Sequence, residues 1–131
     1  MDGAAEGRGG GRRKKRGRLS RSGDFDRVFR DGRSHANRYL VVYSFPRSGD
    51  AEARLGISVG RKVGGAVARN QVKRQLREAF WSCAGDLPDG HDFVIVARPA
   101  VAGLAEDGGA TAVEAELREV MEKAGLAGGG E

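Results

Sequence analysis

With 131 residues, a net charge of +5 and a single cysteine, the chain has room for one domain with one modest core, and it allows no intramolecular disulfide. No apolar run approaches the roughly 18 residues of a membrane span, and the basic N-terminus leads into no apolar stretch, so neither a spanning helix nor a secretory signal is expected. The expected setting is a reducing cytoplasm, with no membrane and no disulfide-linked partner, and Cys83 is expected to be a buried structural thiol.

The charge is segregated along the chain. Residues 8–18 hold seven cations and no acid, and residues 54–77 hold seven more, again without an acid. From residue 100 onward seven acids stand against only Arg118 and Lys123. Acid-free basic stretches cannot be neutralised by local ion pairs, so their field points outward and attracts a polyanion, with nucleic acid the first candidate. Arg outnumbers Lys eighteen to five, a bias that a GC-rich genome or selection for bidentate phosphate contacts would equally produce.

In chain order, residues 1–18 form a Gly/Arg-rich tail with nothing to bury, expected to be disordered and able to attract phosphate without defined structure. Residues 22–32 predict a short helix, capped by Ser22 or Asp24, with Phe25, Val28 and Phe29 on one face and Gly32 ending it. Residues 38–45 are β-branched and aromatic and predict a strand that breaks into a turn at 46–50. Residues 54–62 alternate, with Leu55, Ile57 and Val59 on one side and Gly56, Ser58 and Gly60 on a bare side that another chain can approach closely. The longest helical pattern covers residues 66–83, and a turn follows at 86–90. Residues 92–98 are almost continuously apolar, the mark of a central strand covered on both faces. After a Gly-rich loop, Thr111 and Glu114 form a capping box for a last helix that Gly125 closes. The predicted class is α+β, with the order α-β-β-α-β-α and helices packed on a sheet. Residues 19–126 form the single domain, and residues 127–131 a flexible tail.

The helix at 66–83 carries the clearest signal. Stepping 100° per residue from Ala66, the stripe Ala68, Val72, Leu76, Ala79, Phe80 and Cys83 falls between about 200° and 320°. Arg69, Asn70, Lys73, Arg74 and Arg77 fall between about 300° and 80°. Solvated helices usually interleave signs at i, i+4, yet here only Arg74 and Glu78 stand at that spacing. Arg69, Lys73 and Arg77 repeat about every 6 Å along the axis, close to the spacing of phosphates along a strand. Just before the helix, Arg61, Lys62 and the Gly64–Gly65 pair extend the positive field and offer backbone N–H groups at a helix N-terminus, a natural anion site.

Residues 55–80, LGISVGRKVGGAVARNQVKRQLREAF, resemble the signature of the protein subunit of bacterial ribonuclease P. The likeness extends to DFDRVF at 24–29, HANRYLVVY at 35–43 and DFVIVARP at 92–99, so that it covers about residues 19–125 in the same order. It departs at Gln71, where the family commonly carries a second basic residue after the Arg-Asn pair. The resemblance implies a mixed sheet with a left-handed βαβ crossover, similar to domain 2 of ribosomal protein S5, where the general rule for parallel strands would give a right-handed one. It also implies an assembly in which a catalytic RNA hydrolyses precursor tRNA with Mg²⁺, held mainly by RNA and substrate, while the protein assists. On the matching motifs, Arg61, Lys62, Arg69, Asn70, Lys73, Arg74 and Arg77 would bind the catalytic RNA. Phe25, Phe29, Asn37, Tyr39, Tyr43 and Ser58 would line a cleft for the single-stranded 5′ leader, where aromatic faces stack unpaired bases without demanding a sequence. Tyr39 and Tyr43 are expected on one strand face, where packing of at least one against a helix stays open, as ordinary core packing does for Phe25 and Phe29.

Nothing in the chain composes a protein nuclease. His35 and His91 are its only histidines and stand in no metal-binding pattern, the glycines form no nucleotide loop, and Asp86, Asp89 and Asp92 sit in a turn-like DLPDGHD context. No catalytic or metal-ligating residue is therefore expected. The competing reading is a ribosomal or chaperone-type structural RNA-binding protein on the same scaffold.

Overall fold

The computed structural model describes residues 16–46, 52–84, 87 and 90–126. The expected C-terminal tail, residues 1–15 of the basic tail and most of the turns at 46–50 and 86–90 lie outside them. The elements are β1 (Arg16–Arg18), α1 (Ser22–Asp31), β2 (Arg33–Ala36), β3 (Leu40–Pro46), β4 (Ala53–Val59), a 3-10 turn (Arg61–Val63), α2 (Ala66–Cys83), β5 (His91–Ala97) and α3 (Val101–Lys123). The five strands form one mixed sheet in the order β1-β4-β5-β3-β2. The parallel pair β4 and β5 is joined through α2, and β5 runs antiparallel to β3 on its other side.

The predicted α-β-β-α-β-α order is present, with two short strands added at the sheet edges. β1 pairs in parallel with β4 and draws residues 16–18, which the sequence assigns to the tail, into the fold. β2 pairs with β3 as a hairpin. Neither Ser22 nor Asp24 caps α1, whose first turn follows Arg21 without a side-chain cap.

The sheet has two unlike faces. Leu40 and Val42 of β3, Leu55, Ile57 and Val59 of β4, and Phe93 and Ile95 of β5 meet α2 and α3, which contribute Val72, Leu76, Phe80, Val113, Leu117 and Met121 to the main core. The opposite face carries only α1, where Val28, Leu19 and Val94 form a small second core edged by Phe25, Tyr43, Phe45 and Val96. β5 is thus covered on both sides, as its continuous apolar run requires.

The Gly-rich segment read as a loop is helical. α3 begins at Val101, whose side chain is fully buried, and breaks only at Gly109, where φ is 65° and ψ is −159°. That left-handed conformation suits a residue without Cβ. Beyond it the expected stripe of Val113, Leu117, Val120 and Met121 is buried. Gly125, at φ 76°, ends the helix, with the Leu126 N–H donating to Met121 O at 2.8 Å and the Gly125 N–H to Glu122 O at 3.1 Å.

Cys83 is buried and free, and burial is the main cause that raises its thiol above the ordinary range.

One cation of the acid-free stretch is neutralised over a long sequence distance. Arg54 Nε donates to Asp92 Oδ1 at 2.8 Å and Arg54 Nη2 to Oδ2 at 2.8 Å, while Nη1 lies 3.5 Å from Asp24 of α1. Asp92 is 1% exposed, so removing the guanidinium leaves a buried carboxylate without its main counter-charge. Arg54→Met should destabilise the fold by about 3 kcal/mol in urea melts; a loss no larger than that of an ordinary surface substitution would show that the pair is not needed.

Candidate nucleic-acid interface

The core stripe fixes the rotation of α2 about its axis. Val72, Leu76, Ala79, Phe80 and Cys83 are buried as the wheel predicts, and only Ala68, in the first turn, is exposed instead. With that stripe pinned to the sheet, Asn70 and Arg74 are exposed and Arg69, Lys73 and Arg77 are half-buried along one flank. Arg61 and Lys62, on the 3-10 turn before the helix, are exposed.

Among the described residues no carboxylate lies within ion-pairing distance of Arg61, Lys62, Arg69, Lys73, Arg74 or Arg77. Arg74 and Glu78, the one pair with helical i, i+4 spacing, do not bridge. Arg69 Nε is buried with no hydrogen-bond partner. Burial, and secondarily the positive charge of Arg18, push the Arg77 guanidinium below its ordinary value. Arginine stays charged under such shifts, so Arg18 and Arg77 place two like charges close enough to repel. That is a field concentrated for an anion. The sequence places Arg18 in the basic tail and not beside Arg77, because the residue belongs to a short strand whose partner, β4, lies 37 positions downstream.

The residues expected in the leader cleft divide into two groups. Phe25, Phe29 and Tyr43 form a connected aromatic row on the α1 face of the sheet: Phe25 and Phe29 lie 6.2 Å apart between centroids, and Phe29 meets Tyr43 edge-on at 5.1 Å. Phe29 is 41% exposed. Ser58, half-buried, follows Gly56 on that same face of β4. Gly56 is not bare, because the Phe25 ring covers it: a Cβ built there would stand 2.5 Å from Phe25 Cζ.

Asn37 and Tyr39 do not join this row. Asn37 Oδ1 accepts from the backbone N–H groups of Tyr39 and Leu40, each at 2.9 Å, and its amide donates to Glu119 Oε1 at 2.8 Å and Glu116 Oε1 at 3.1 Å. This turn holds residues 38 and 39 out of the ladder, so β3 starts at Leu40 and the alternation that would put Tyr39 beside Tyr43 does not apply. Tyr39 packs instead against the main core, with Arg38 5.7 Å above its ring.

A mixed sheet bearing a cationic helix on one side and a partly exposed aromatic row on the other defines a basic α+β protein. The Ribonuclease P family profile matches residues 14–125. The ribonuclease P protein component of Brevibacillus brevis is 44% identical over 107 residues, covering 82% of each chain, and that of Geobacillus thermodenitrificans is 41% identical over 112 residues, covering 86% of this chain and 89% of the relative. Among solved structures, the Thermotoga maritima RNase P protein superposes with a TM-score of 0.70 at 35% identity, covering 81% of this chain and 96% of that one. The Staphylococcus aureus RNase P protein does so with a TM-score of 0.68 at 34% identity, covering 85% and 97%. The chain belongs to the ribonuclease P protein family, and so to the components of an endoribonuclease complex that processes tRNA.

Because the Phe25 ring occupies the space a larger residue at 56 would need, Gly56→Val should displace the ring and cost about 1–3 kcal/mol of stability. A thermal melt unchanged from the parent protein would show that the ring moves aside freely.

Proposed function

We propose that this chain is the protein subunit that binds the catalytic RNA of ribonuclease P through α2 and holds the 5′ leader of precursor tRNA against the α1 face of the sheet, assisting hydrolysis that the RNA performs. The observation that carries this reading is the half-buried row Arg69, Lys73 and Arg77, with the exposed Arg74 beside it, on the flank of a helix fixed by its buried stripe and meeting no carboxylate among the described residues. Each phosphate such a row neutralises releases condensed counterions, so affinity for RNA falls steeply with salt.

The aromatic row supports the leader assignment. Phe29 and Tyr43, backed by Phe25, offer ring faces and edges to unpaired bases, a form of recognition indifferent to sequence and therefore suited to leaders that differ from one precursor to the next. Ser58 adds a hydroxyl on the same face. We assign the cleft to Phe25, Phe29, Tyr43 and Ser58, which share a face, and leave Asn37 and Tyr39 to the turn and the main core.

Magnesium is assigned to the RNA and its substrate. The protein's contribution is to offset phosphate charge and to discriminate precursor from mature tRNA.

Replacing Arg69 and Arg74 together by Ala should weaken binding to the cognate catalytic RNA and lower the slope of log K against log salt by up to about 2; an unchanged slope would remove these two contacts. Phe29→Ala, at an exposed position, should weaken holoenzyme binding of precursor tRNA by about 1–3 kcal/mol and leave mature tRNA unaffected. Equal losses for both would overturn the leader cleft.

A further inference from the structure

On the flank of α2 away from the cationic row, an open groove of about 470 Å³ runs between the helix and the first segment of α3. That size falls within the roughly 300–1,000 Å³ typical of small-ligand sites. Val63, Val72, Ala102 and Ala105 give it apolar walls, and Gln71 and Glu106 are its polar lining. Among the described residues neither Gln71 nor Glu106 has a hydrogen-bond or ion-pair partner. Arg61 and Lys62, both exposed, immediately precede Val63 at its edge.

Gln71 is the position at which the chain departs from the basic motif, and its place in the fold gives that departure a meaning. On the helix wheel it lies at about 140°, across the exposed crest from Lys73 and Arg77, and it shares its groove with an acid. A carboxylate beside an RNA-binding helix repels phosphate. It is favourable only against a group that presents hydrogen-bond donors. The part of an RNA that does so is a base edge, and guanine carries two adjacent donors, N1–H and the N2 amino group, on its Watson–Crick edge. A carboxylate accepts both at once, an amide can engage the neighbouring carbonyl, and aliphatic walls take the faces of a base turned out of its stack.

We propose that the groove between α2 and α3 binds one unpaired guanine of the RNA partner, with Glu106 accepting from N1–H and N2–H, Gln71 donating to O6, and Arg61 and Lys62 neutralising the adjoining phosphates. This rests on the RNA-binding reading given above and adds base recognition to it. The cationic row sets affinity without regard to sequence; the groove selects one nucleotide and fixes the register of the RNA on the helix.

The test uses the full-length protein with its cognate catalytic RNA, and then the holoenzyme with precursor tRNA. Glu106→Gln should weaken binding roughly tenfold while leaving the salt slope unchanged, because no phosphate contact is lost. Kethoxal, which modifies N1 and N2 of unpaired guanines, should find one guanine protected by the parent protein and reactive with Glu106→Gln; its position tells whether it belongs to the catalytic RNA or to the precursor. Glu106 is exposed, so the substitution does not disturb the core. Unchanged or tighter binding by Glu106→Gln, the result of merely removing a negative charge near RNA, would overturn the proposal, as would the absence of a guanine whose protection depends on residue 106. Those results leave the cationic row standing, whereas loss of the Arg69 and Arg74 effect would remove the RNA-binding reading itself.

Discussion

The burial of one helical stripe against β4 and β5 decides which way every functional group on α2 points. Leu76 and Phe80 are completely buried, and Val72 and Cys83 nearly so. A helix held by such a stripe cannot rotate without exposing it, at roughly 1.5–3 kcal/mol for each large side chain returned to water. The placement of Arg69, Lys73 and Arg77 is therefore set by residues that are themselves sealed in the core. The same rotation turns Gln71 toward α3, so one packing event creates both the cationic row and the groove across from it.

The two faces of the sheet divide the work. The face under α2 and α3 holds nearly all the buried apolar residues and supplies rigidity. The other face carries a single ten-residue helix, and that economy leaves Phe29 and Tyr43 accessible. α1 is secured by more than its small apolar core: Arg54 ties it through Asp24 to the buried Asp92 of the central strand. An ion pair there is costly to desolvate and gives modest net stability. Its value is directional, since it anchors the N-terminal turn of α1 one residue from Phe25.

The sequence shows α2 most clearly because its eighteen residues repeat a buried position every turn, and the observed bounds match the predicted ones. β5 and the second half of α3 are visible for similar reasons. What escaped depends on contacts far apart in the chain. β1 and β2 have three and four residues, too few for a period, and exist because β4 and β3 offer ladders to them. Arg54 looks unpaired locally, and its partners lie 30 and 38 positions away. Tyr39 was misplaced because residues 38 and 39 form the turn of the β2–β3 hairpin, which the Asn37 side chain braces, and leave the alternation of β3. Gly108 and Gly109 read as a loop, although only Gly109 leaves the helical conformation. The aromatic row could be named from the resemblance, but its separation from Asn37 and Tyr39 required the fold.

The sheet ends in two short strands, β1 with the sequence RGR and β2 beginning at Arg33. An open strand edge is a template on which a second copy of a chain can add itself, and positive charge along it is a common deterrent. Here one of those edges borders the surface that RNA would cover. Were phosphates to lie against Arg18 and Arg77, as proposed above, mutual repulsion between copies would fade at that border, and the nucleic acid itself would become the physical shield. On that reading, resistance to self-association and docking would draw on the same few guanidinium groups, so a variant that trims them to loosen RNA would also be expected to self-associate.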